Sequence, residues 1–376
     1  MRMKIVVAID SFKGSLTSMQ AGNAVKEAIC RVRSDAEVLV KPLADGGEGT
    51  VDALAESADA RMVELTVCGP LQKPVTAKYC ILNHTAVIEM AAAAGITLIS
   101  PEERNPLETT TYGVGELIKD ALQKGCRRFI VGIGGSATND GGTGMLTALG
   151  YEFLDECGNP IALGAKGLRD LHSIKTDKVL PELALCSFRI ACDVTNPLCG
   201  AAGCSAVYGP QKGATEEMIT DMDSWMEHYA ELAETVSSKA DRNVPGTGAA
   251  GGLGFAFLAF TNGVLKSGID IVLEEIKLED AIKNADIVVT GEGRLDSQTV
   301  MGKAPIGVAR LAKKYNKKVI AFSGCVTEDA EICNEYGIDA FFPVLRGVTT
   351  LEEALKPDQA YRNVRATAYQ VFRLLI

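Results

Sequence analysis

The chain has 376 residues, about 2.5 times a typical domain of ~150 residues, so we expect two or three domains or one large discontinuous domain. Its 38 Lys and Arg against 48 Asp and Glu give a formal net charge of −10. That balance excludes nonspecific nucleic-acid binding, because no basic excess is present to neutralise phosphates. Hydrophobic residues make up 47% and charged residues 23%, which excludes global disorder.

The residue types also bear on location and metals. Eleven cysteines without a CxxC pair, together with only three histidines, argue against a zinc site and favour buried thiols. No signal peptide is visible, and the longest apolar stretch, residues 86–99, contains Glu89 and is too short to cross a bilayer. The sequence therefore predicts a soluble cytoplasmic protein with no membrane role, present as a monomer or homodimer.

The chain opens with a β-α-β-α pattern. Residues 4–10 form a short apolar run typical of a covered strand, and Ser18 is expected to cap a helix over 19–32. A second strand over 37–43 precedes a helix over 51–58. This alternation predicts a parallel sheet.

The middle of the chain has a different pattern of apolar and polar residues. Three strands of mixed apolar and polar residues predict an antiparallel meander. They cover 62–67, 75–82 and 85–90. A helix over 114–123 and a buried strand over 128–133 follow, and a glycine-rich loop over 134–144 opens the next helix. Residues 151–250 are less regular, apart from a long helix over 215–237.

The β-α alternation returns from about residue 285. Three strands, two intervening helices and a terminal helix are predicted. The strands cover 286–290, 318–322 and 339–344, and the helices cover 304–315, 330–336 and 360–375. We therefore expect residues 1–64 and 284–376 to form one discontinuous parallel α/β domain, with 65–283 as an inserted α/β domain.

Two polar loops follow the first two predicted strands, and strand ends are where ligands bind in parallel α/β domains. The first carries Ser11 and Lys13, which suit an anionic substrate or a phosphate, although a capped turn with a solvated lysine fits as well. The second holds Asp45 and Glu48 on a glycine-rich backbone. Those carboxylates suit Mg²⁺ or a polyhydroxy substrate, and the alternative is an acidic turn that caps a helix.

A third loop, residues 131–144, follows a buried strand and precedes a helix. Its exposed N–H groups would accept phosphate oxygens, and Asn139 and Asp140 favour a nucleotide or substrate site. The loop is not a Walker A motif, because no Gly-Lys-Ser/Thr ends it. It also departs from the dinucleotide fingerprint, since Ala137 stands where the third glycine belongs.

Two further segments carry candidate chemistry. In residues 290–303, Glu292, Arg294, Asp296 and Lys303 follow an apolar strand, so the segment could bind a carboxylate, a phosphate or a metal, or could form surface ion pairs. Asp193, also after an apolar run, is a candidate general base, and a satisfied turn aspartate is the alternative.

Six segments resemble, in the same order, those of the bacterial glycerate kinase type 1 family. They read Asp-Ser-Phe-Lys-Gly-Ser from Asp10, Ala-Asp-Gly-Gly-Glu-Gly-Thr from Ala44, Gly-Gly-Ser-Ala-Thr-Asn-Asp-Gly-Gly from Gly134, Cys-Asp-Val-Thr-Asn-Pro-Leu from Cys192, Tyr-Gly-Pro-Gln-Lys-Gly-Ala from Tyr208 and Thr-Gly-Glu-Gly-Arg-Leu-Asp from Thr290. The resemblance covers nearly the whole chain. It implies a discontinuous Rossmann-like domain with an inserted α/β domain, and an active site in the cleft between them.

The resemblance also implies ATP-dependent phosphorylation of D-glycerate with Mg²⁺, and 2-phosphoglycerate is the usual product of the family. The sequence does not fix which hydroxyl reacts. We assign the ATP phosphates to Gly134, Gly135, Ser136, Asn139, Asp140 and Gly141. The substrate candidates are Ser11, Asp45 and Asn196, and the metal candidates are Asp45, Glu48 and Asp296. Lys13 and Arg294 would neutralise the glycerate carboxylate or the transferred phosphoryl group, and Asp193 would be the general base.

Two functions of other classes compete with a kinase. The glycine loop after a strand could belong to an NAD-dependent dehydrogenase, although the broken fingerprint counts against it. Alternatively, two domains around a cleft could form a non-catalytic protein that binds sugar acids. Formation of ADP that depends on D-glycerate would separate the kinase from both.

Overall fold

The chain forms two compact units in a computed structural model that describes residues 2–44, 49–55 and 60–376. The first unit comprises Met1–Ala58 and Ile269–Ile376, and the second comprises Asp59–Gly268. These bounds differ from the predicted 64/65 and 283/284, because residues 61–68 are a strand of the second unit's sheet and residues 278–283 contact a helix of the first unit. The predicted division into a discontinuous domain and an inserted domain stays a prediction.

The bounds of the regular elements are as follows. The strands are β1 (Lys4–Val7), β2 (Glu37–Val40), β3 (Arg61–Cys68), β4 (Pro74–Leu82), β5 (Thr85–Glu89), β6 (Arg128–Gly132), β7 (Glu152–Leu154), β8 (Ser173–Lys175), β9 (Ser187–Ala191), β10 (Gly263–Lys266), β11 (Ile287–Leu295), β12 (Lys318–Val326) and β13 (Ala340–Pro343). The helices are α1 (Ser18–Val32), α2 (Thr50–Ala55), α3 (Ala91–Ala94), α4 (Tyr112–Gln123), α5 (Thr143–Ala148), α6 (Ala165–Leu168), α7 (Cys204–Tyr208), α8 (Glu216–Val236), α9 (Ala249–Phe260), α10 (Gly268–Glu275), α11 (Leu278–Lys283), α12 (Ala304–Lys313), α13 (Ile332–Glu335), α14 (Leu351–Leu355) and α15 (Pro357–Leu375).

The first unit is built on a five-stranded sheet in the order β13-β12-β11-β1-β2, with every pair parallel. Strand β1 lies between β2 and β11, and Val7 is in register with Val40 and Val289. The apolar residues of β1 are buried because helices cover the sheet, as the unbroken apolar run predicts. The predicted mixed α/β class with parallel sheet regions is therefore confirmed.

Helices from the two ends of the chain pack together on this sheet. Helix α1 contacts α15, and both contribute to one apolar cluster that includes Val25 and Phe372. Outside the cluster, Glu27 accepts a hydrogen bond from the Tyr361 hydroxyl at 2.7 Å and pairs with Arg365 at 3.2 Å. The unit is therefore discontinuous in sequence and continuous in its core.

The second unit has a six-stranded mixed sheet in the order β10-β9-β6-β5-β4-β3. The pairs β3-β4 and β4-β5 are antiparallel, so the predicted meander is confirmed, and the remaining pairs are parallel. Aromatic side chains fill the core on this sheet, where the rings of Phe129 and Phe188 stack at 4.6 Å between centroids. The carboxyl ends of β6 and β9 are neighbours, which brings the segments after them to one edge of the sheet.

The predicted cap of α1 was wrong by one residue. Thr17 is the N-cap, and its side chain and that of Gln20 form a capping box with each other's backbone N–H groups. Ser18 instead joins two segments, because its hydroxyl donates to the Ile9 carbonyl at 2.6 Å and accepts from the Leu43 N–H at 2.8 Å. It therefore ties the loop after β1 to the segment after β2.

All eleven cysteines are free thiols. The expectation that they are buried was wrong for Cys157 and Cys325, which are exposed. The half-buried cysteines are Cys30, Cys68, Cys192 and Cys199, and the other five are buried. Within the described residues, no helix combines the length and apolarity needed to cross a membrane.

Truncating a core side chain of α15 is expected to destabilise the first unit. Phe372→Ala should lower the free energy of unfolding by about 3–5 kcal/mol, because it empties a fully buried site between α15 and the rest of the cluster. Chemical denaturation followed by far-UV circular dichroism would measure the change. Leu374→Ala in the same helix is the control, since Leu374 is 86% exposed. Equal stability of the two variants would contradict the packing described for α15.

Candidate active site

The sheet of the first unit has a topological switch point between β1 and β11. From β1 the chain adds β2 on one side, whereas β11, β12 and β13 extend the sheet in the opposite direction. Ligands of open parallel sheets bind at such a point, beyond the carboxyl ends of the strands. The segments that meet there are the loop after β1 and the end of β11, because the Asp10 N–H donates to the Gly291 carbonyl at 2.9 Å.

The loop after β1 is a tight turn that presents polar side chains. Phe12 and Leu16 are buried and hydrogen bond to each other through their backbones at 2.9 and 3.0 Å, which closes the turn between them. Lys13, at the tip of the turn, is exposed. The Ser15 hydroxyl is buried without a hydrogen-bond partner in the described part of the chain. Two apolar anchors thus hold a short, polar tip.

The predicted end at residue 290 of the strand that leads into residues 290–303 was wrong, because β11 continues to Leu295. The side chains nevertheless form the expected cluster. The Lys303 ammonium lies 4.0 Å from Glu292 Oε2 and 3.5 Å from Asp296 Oδ1, and Arg294 Nε lies 3.1 Å from Asp296 Oδ2. Thr299 donates to Glu292 Oε1 at 2.9 Å and so fixes that carboxylate. Two carboxylates therefore converge on one cation beside the switch point.

These two segments line one cavity of about 380 Å³ in the first unit. Its polar part carries charged side chains from both segments: Asp10, Lys13, Glu292, Arg294 and Lys303. Its other part is lined by apolar residues after β13 and in the last two helices: Val344, Leu345, Leu351, Ala354, Leu355 and Ala360. Asn363 is the polar residue that α15 adds to this lining. The cavity thus joins a charged end to an apolar end.

A second opening in the same unit, also about 380 Å³, lies on the other side of the loop after β1. Its lining includes Ser15, Ser18, Leu43 and Asp52. The predicted ligands Asp45 and Glu48 lie outside the described residues, so their roles stay predictions. Ser11 lines both cavities and is half-buried.

In the second unit, the glycine loop after β6 divides into an exposed and a buried part. Gly134 and Gly135 are exposed, whereas Asn139 and Asp140 have no exposed surface. The Asp140 carboxylate accepts hydrogen bonds from the N–H groups of Thr111 and Gly142 at 2.8 and 3.1 Å. Burial raises the pKa of Asp140 above its usual value, and these hydrogen bonds oppose that shift. Asp140 therefore holds the loop to the start of α4.

The glycines in the buried part of this loop allow close packing. Gly142 has a φ of +75°, and a Cβ there would lie 2.4 Å from the Ala256 side chain. Gly141 has a φ of +63°, and its Cβ would lie 2.8 Å from the ring of Tyr229. Gly134 and Gly135 are therefore the glycines of this loop that a ligand could contact directly. Phosphate binding by the predicted residues of this loop stays a prediction.

A buried lysine supports the same loop. Lys212 is 2% exposed, and its ammonium donates to the Thr138 carbonyl at 2.6 Å. Burial lowers the pKa of Lys212 to about 8, although Cys204 and Asp140 nearby favour the charged form. The sequence offered only the motif around Lys212 and no sign of its burial, because a lysine usually lies in solvent.

Asp193 and Asn196 follow β9 at the edge where β6 also ends. Asp193 is exposed, and its Oδ1 accepts from the Gly268 N–H at 3.0 Å. The Asn196 amide donates to the Ala202 carbonyl at 2.9 Å, and its Oδ1 accepts from the Tyr208 hydroxyl at 2.6 Å. Asn196 therefore shapes this turn, and a substrate contact by Asn196 stays a prediction.

The apolar half of the first cavity has no counterpart among the sequence motifs. Leu345, Leu351 and Leu355 belong to no glycine-rich or charged motif, and α14 was not predicted. The signal available in the sequence was the grouping of Leu345, Val348 and Leu351 in one short segment. The structure shows that Leu351 is 75% exposed. Sequence alone does not show which leucines of a helix-rich segment are exposed.

The comparisons with known proteins agree with the motifs. The model of the Glycerate kinase family matches residues 5–376. A protein named glycerate kinase from Haemophilus influenzae is 48% identical over 375 residues, which is 99% of each chain, and one named glycerate 2-kinase from Escherichia coli is 46% identical over 97% of this chain and 98% of its own. The chain belongs to the glycerate kinase family. A crystal structure of a candidate glycerate kinase 2 from Salmonella typhimurium LT2 superposes with a TM-score of 0.93, at 47% identity, over 100% of this chain and 98% of its own. The predicted family and its kinase activity are thus confirmed.

The buried ammonium of Lys212 should make stability depend on pH. Because the folded-state pKa of about 8 lies below the unfolded value of 10.5, the folded state loses its proton first and stability rises with pH between these values. Relative to Lys212→Met, the free energy of unfolding of the parent protein should rise by about 3 kcal/mol between pH 7 and 10.5. Denaturation series at several pH values measure this difference.

Taking the difference in free energy between the two proteins cancels the titration of the other cysteines and tyrosines, apart from Cys204, whose pKa Lys212 lowers. Lys26→Met removes an exposed amine of α1 and serves as the control. If the free energies of unfolding of the parent protein and Lys212→Met differ by the same amount at every pH in this range, Lys212 is not buried as a cation.

Proposed function

We propose that the protein transfers the γ-phosphoryl group of ATP to the 2-hydroxyl of D-glycerate, with Mg²⁺, to give 2-phosphoglycerate. The family membership supports a glycerate kinase, and the name of the Escherichia coli relative supports the 2-position for that relative. The main support for ATP as the phosphoryl donor is the group of cations and carboxylates at the switch point of the first unit. A cytoplasmic location stays a prediction.

Phosphoryl transfer needs positioning and neutralised charge more than covalent help from the protein. Both substrates are anions and the chain carries a net charge of −10, so local cations must offset repulsion. Lys13 and Arg294 are exposed in the cavity, and Lys303 lies between two carboxylates there. In the proposal, Lys13 and Arg294 neutralise the transferred phosphoryl group and the phosphates of the donor.

The carboxylates of this cluster suit the predicted metal. Proteins hold Mg²⁺ through one or two carboxylates plus substrate phosphates, and Glu292 and Asp296 are two carboxylates that approach a single cation, Lys303. No group of three or more metal-ligating side chains occurs within residues 2–44, 49–55 and 60–376. Glu292 and Asp296 would therefore hold Mg²⁺ together with the nucleotide, and Asp45 and Glu48 stay candidates. The bound ion would neutralise charge on the phosphates.

The reacting hydroxyl group needs a proton acceptor, for which we keep Asp193. Its carboxylate is exposed at the carboxyl end of β9, and the Gly268 N–H fixes one of its oxygens. An oriented, exposed carboxylate can accept a proton as the hydroxyl attacks. The exposed Gly134 and Gly135 follow the neighbouring strand β6, so this edge of the second unit also presents backbone groups to a ligand.

Replacing the proposed base should slow the chemical step. Asp193→Asn keeps the size of the side chain and the oxygen that accepts from Gly268, but it cannot accept the substrate proton. We expect kcat to fall by about 10²–10⁴-fold. Steady-state kinetics with D-glycerate and ATP measure the change.

Asp241→Asn is the matched control for this variant. Asp241 lies in the same unit, is also exposed, and likewise accepts a backbone N–H, that of Asn243 at 2.9 Å. Its kcat should equal that of the parent protein. A folded Asp193→Asn protein with the parent kcat would remove Asp193 from the role of base.

The reaction itself is tested with purified protein, D-glycerate, ATP and Mg²⁺. We expect ADP to form only when D-glycerate is present, and ³¹P NMR of the product should show the resonance of 2-phosphoglycerate and not that of 3-phosphoglycerate. Excess EDTA should stop turnover, because the phosphates then lack their counter-ion. Absence of ADP would overturn ATP as donor, and formation of 3-phosphoglycerate would overturn the 2-hydroxyl as acceptor.

A further inference from the structure

The apolar end of the cavity in the first unit exposes leucines beside a charged cluster. Leu351 is 75% exposed and Leu345 is 40% exposed, and both line the cavity with Leu355. Exposed apolar surface with a polar rim marks ligand-binding sites, because its burial by a ligand removes it from water. The apolar end of the cavity is therefore suited to binding the apolar part of a ligand.

The opposite end of the same cavity is suited to binding an anion. Lys13 and Arg294 come from the loop after β1 and from the end of β11, and both are exposed. The Ser15 hydroxyl, buried and without a partner among the described residues, also lines this end. A ligand that fits the whole cavity has an apolar part and a strongly anionic part within one molecule.

We infer that this cavity binds the nucleotide, with the adenine against Leu345, Leu351 and Leu355 and the phosphates at Lys13 and Arg294. The inference rests on ATP as the donor. D-Glycerate does not fit the apolar end, because each of its three carbons carries oxygen and it has no apolar surface to bury. Asn363, buried and with its Oδ1 accepting from Gln359 at 3.0 Å, is the polar group beside the base.

The glycine loop of the second unit fits the nucleotide less well. Its Asn139 and Asp140 are enclosed: the Asn139 amide donates to the Ser205 hydroxyl at 2.9 Å, and Asp140 accepts from the Thr111 N–H at 2.8 Å. Asn139 Oδ1 has no hydrogen-bond partner among the described residues, but it has no exposed surface through which a ligand could reach it. The loop's Gly141 packs against α8 and its Gly142 packs against α9. The first cavity offers surface for base and phosphates together, and the loop offers a few exposed backbone groups.

The two ends of the cavity can be tested separately with two ligands. ADP contains the base and phosphates, whereas inorganic tripolyphosphate contains phosphates alone. Leu351→Ser should weaken ADP binding roughly 5- to 30-fold and leave tripolyphosphate unchanged, because only the base loses apolar contact. Lys13→Met should weaken both ligands roughly 10- to 100-fold, because both lose a charged partner. Isothermal titration calorimetry measures these affinities.

Leu374→Ser is the matched control, since Leu374 is an exposed leucine of the same unit outside the cavity, and its affinities should equal those of the parent protein. An unchanged ADP affinity in Leu351→Ser would overturn the inference. Equal weakening of ADP and tripolyphosphate in that variant would overturn it as well, because the leucine would then not contact the base.

Cys325 provides a second readout that needs no substitution. It is exposed and lines the cavity, and it is in register with Arg294 of the neighbouring strand. ADP should slow its alkylation by iodoacetamide several-fold, as followed by peptide mass spectrometry, and D-glycerate alone should not. Cys157, exposed in the second unit, is the internal control and should react at the same rate throughout. Protection of Cys325 by D-glycerate and not by ADP would assign the cavity to the acceptor and overturn the inference.

The location of the nucleotide and the proposed reaction can be refuted independently of each other. Absence of ADP formation in the turnover assay refutes ATP as donor, whatever the binding data show. Turnover of ATP with Cys325 unprotected, and with the KM for ATP unchanged in Leu351→Ser, refutes the location of the nucleotide and leaves the reaction intact.

Discussion

The pairing of β1 with β11 is the constraint on which the candidate site depends. Ile5 lies beside Ile287 and Val7 beside Val289, so the start of the chain and its last third share one sheet. Closing so long a loop costs entropy only logarithmically in its length, and the apolar faces of both strands are buried in return. Because the two strands are parallel, their carboxyl ends coincide. Lys13 and Arg294, 281 positions apart (294 − 13), therefore line one cavity.

Charge within that cavity is balanced locally. Lys303 lies between Glu292 and Asp296, and Asp296 also pairs with Arg294. In a chain with a net charge of −10, such pairs hold cations at a place where anionic ligands need them. The pairs are partly exposed, so they contribute little to stability by themselves. Their value lies in placing carboxylates and cations at the same strand ends.

Glycine has two different uses in this protein. Gly134 and Gly135 are exposed at a strand end, where small residues let a ligand approach the backbone. Gly141 and Gly142, a few positions later in the same loop, are buried and make room for Tyr229 and Ala256. A glycine excess in the sequence predicts close approach at both places, but it does not say whether the approaching group is a ligand or the protein itself.

The sequence by itself determined the family, the class of fold and most of the strands, since apolar runs, polar alternation and glycine-rich turns are local patterns. It also placed Asp10, Asp193 and Glu292 near strand ends. Only the tertiary structure decided which candidate residues are accessible, because burial depends on segments distant in sequence. Helices α8 and α9 pack against the loop that contains Asp140, and the segment after β13 together with α14 and α15 supplies the apolar half of the first cavity. The burial of Lys212 was not predictable from the sequence for the same reason, since it involves a contact with Thr138, which lies 74 positions away.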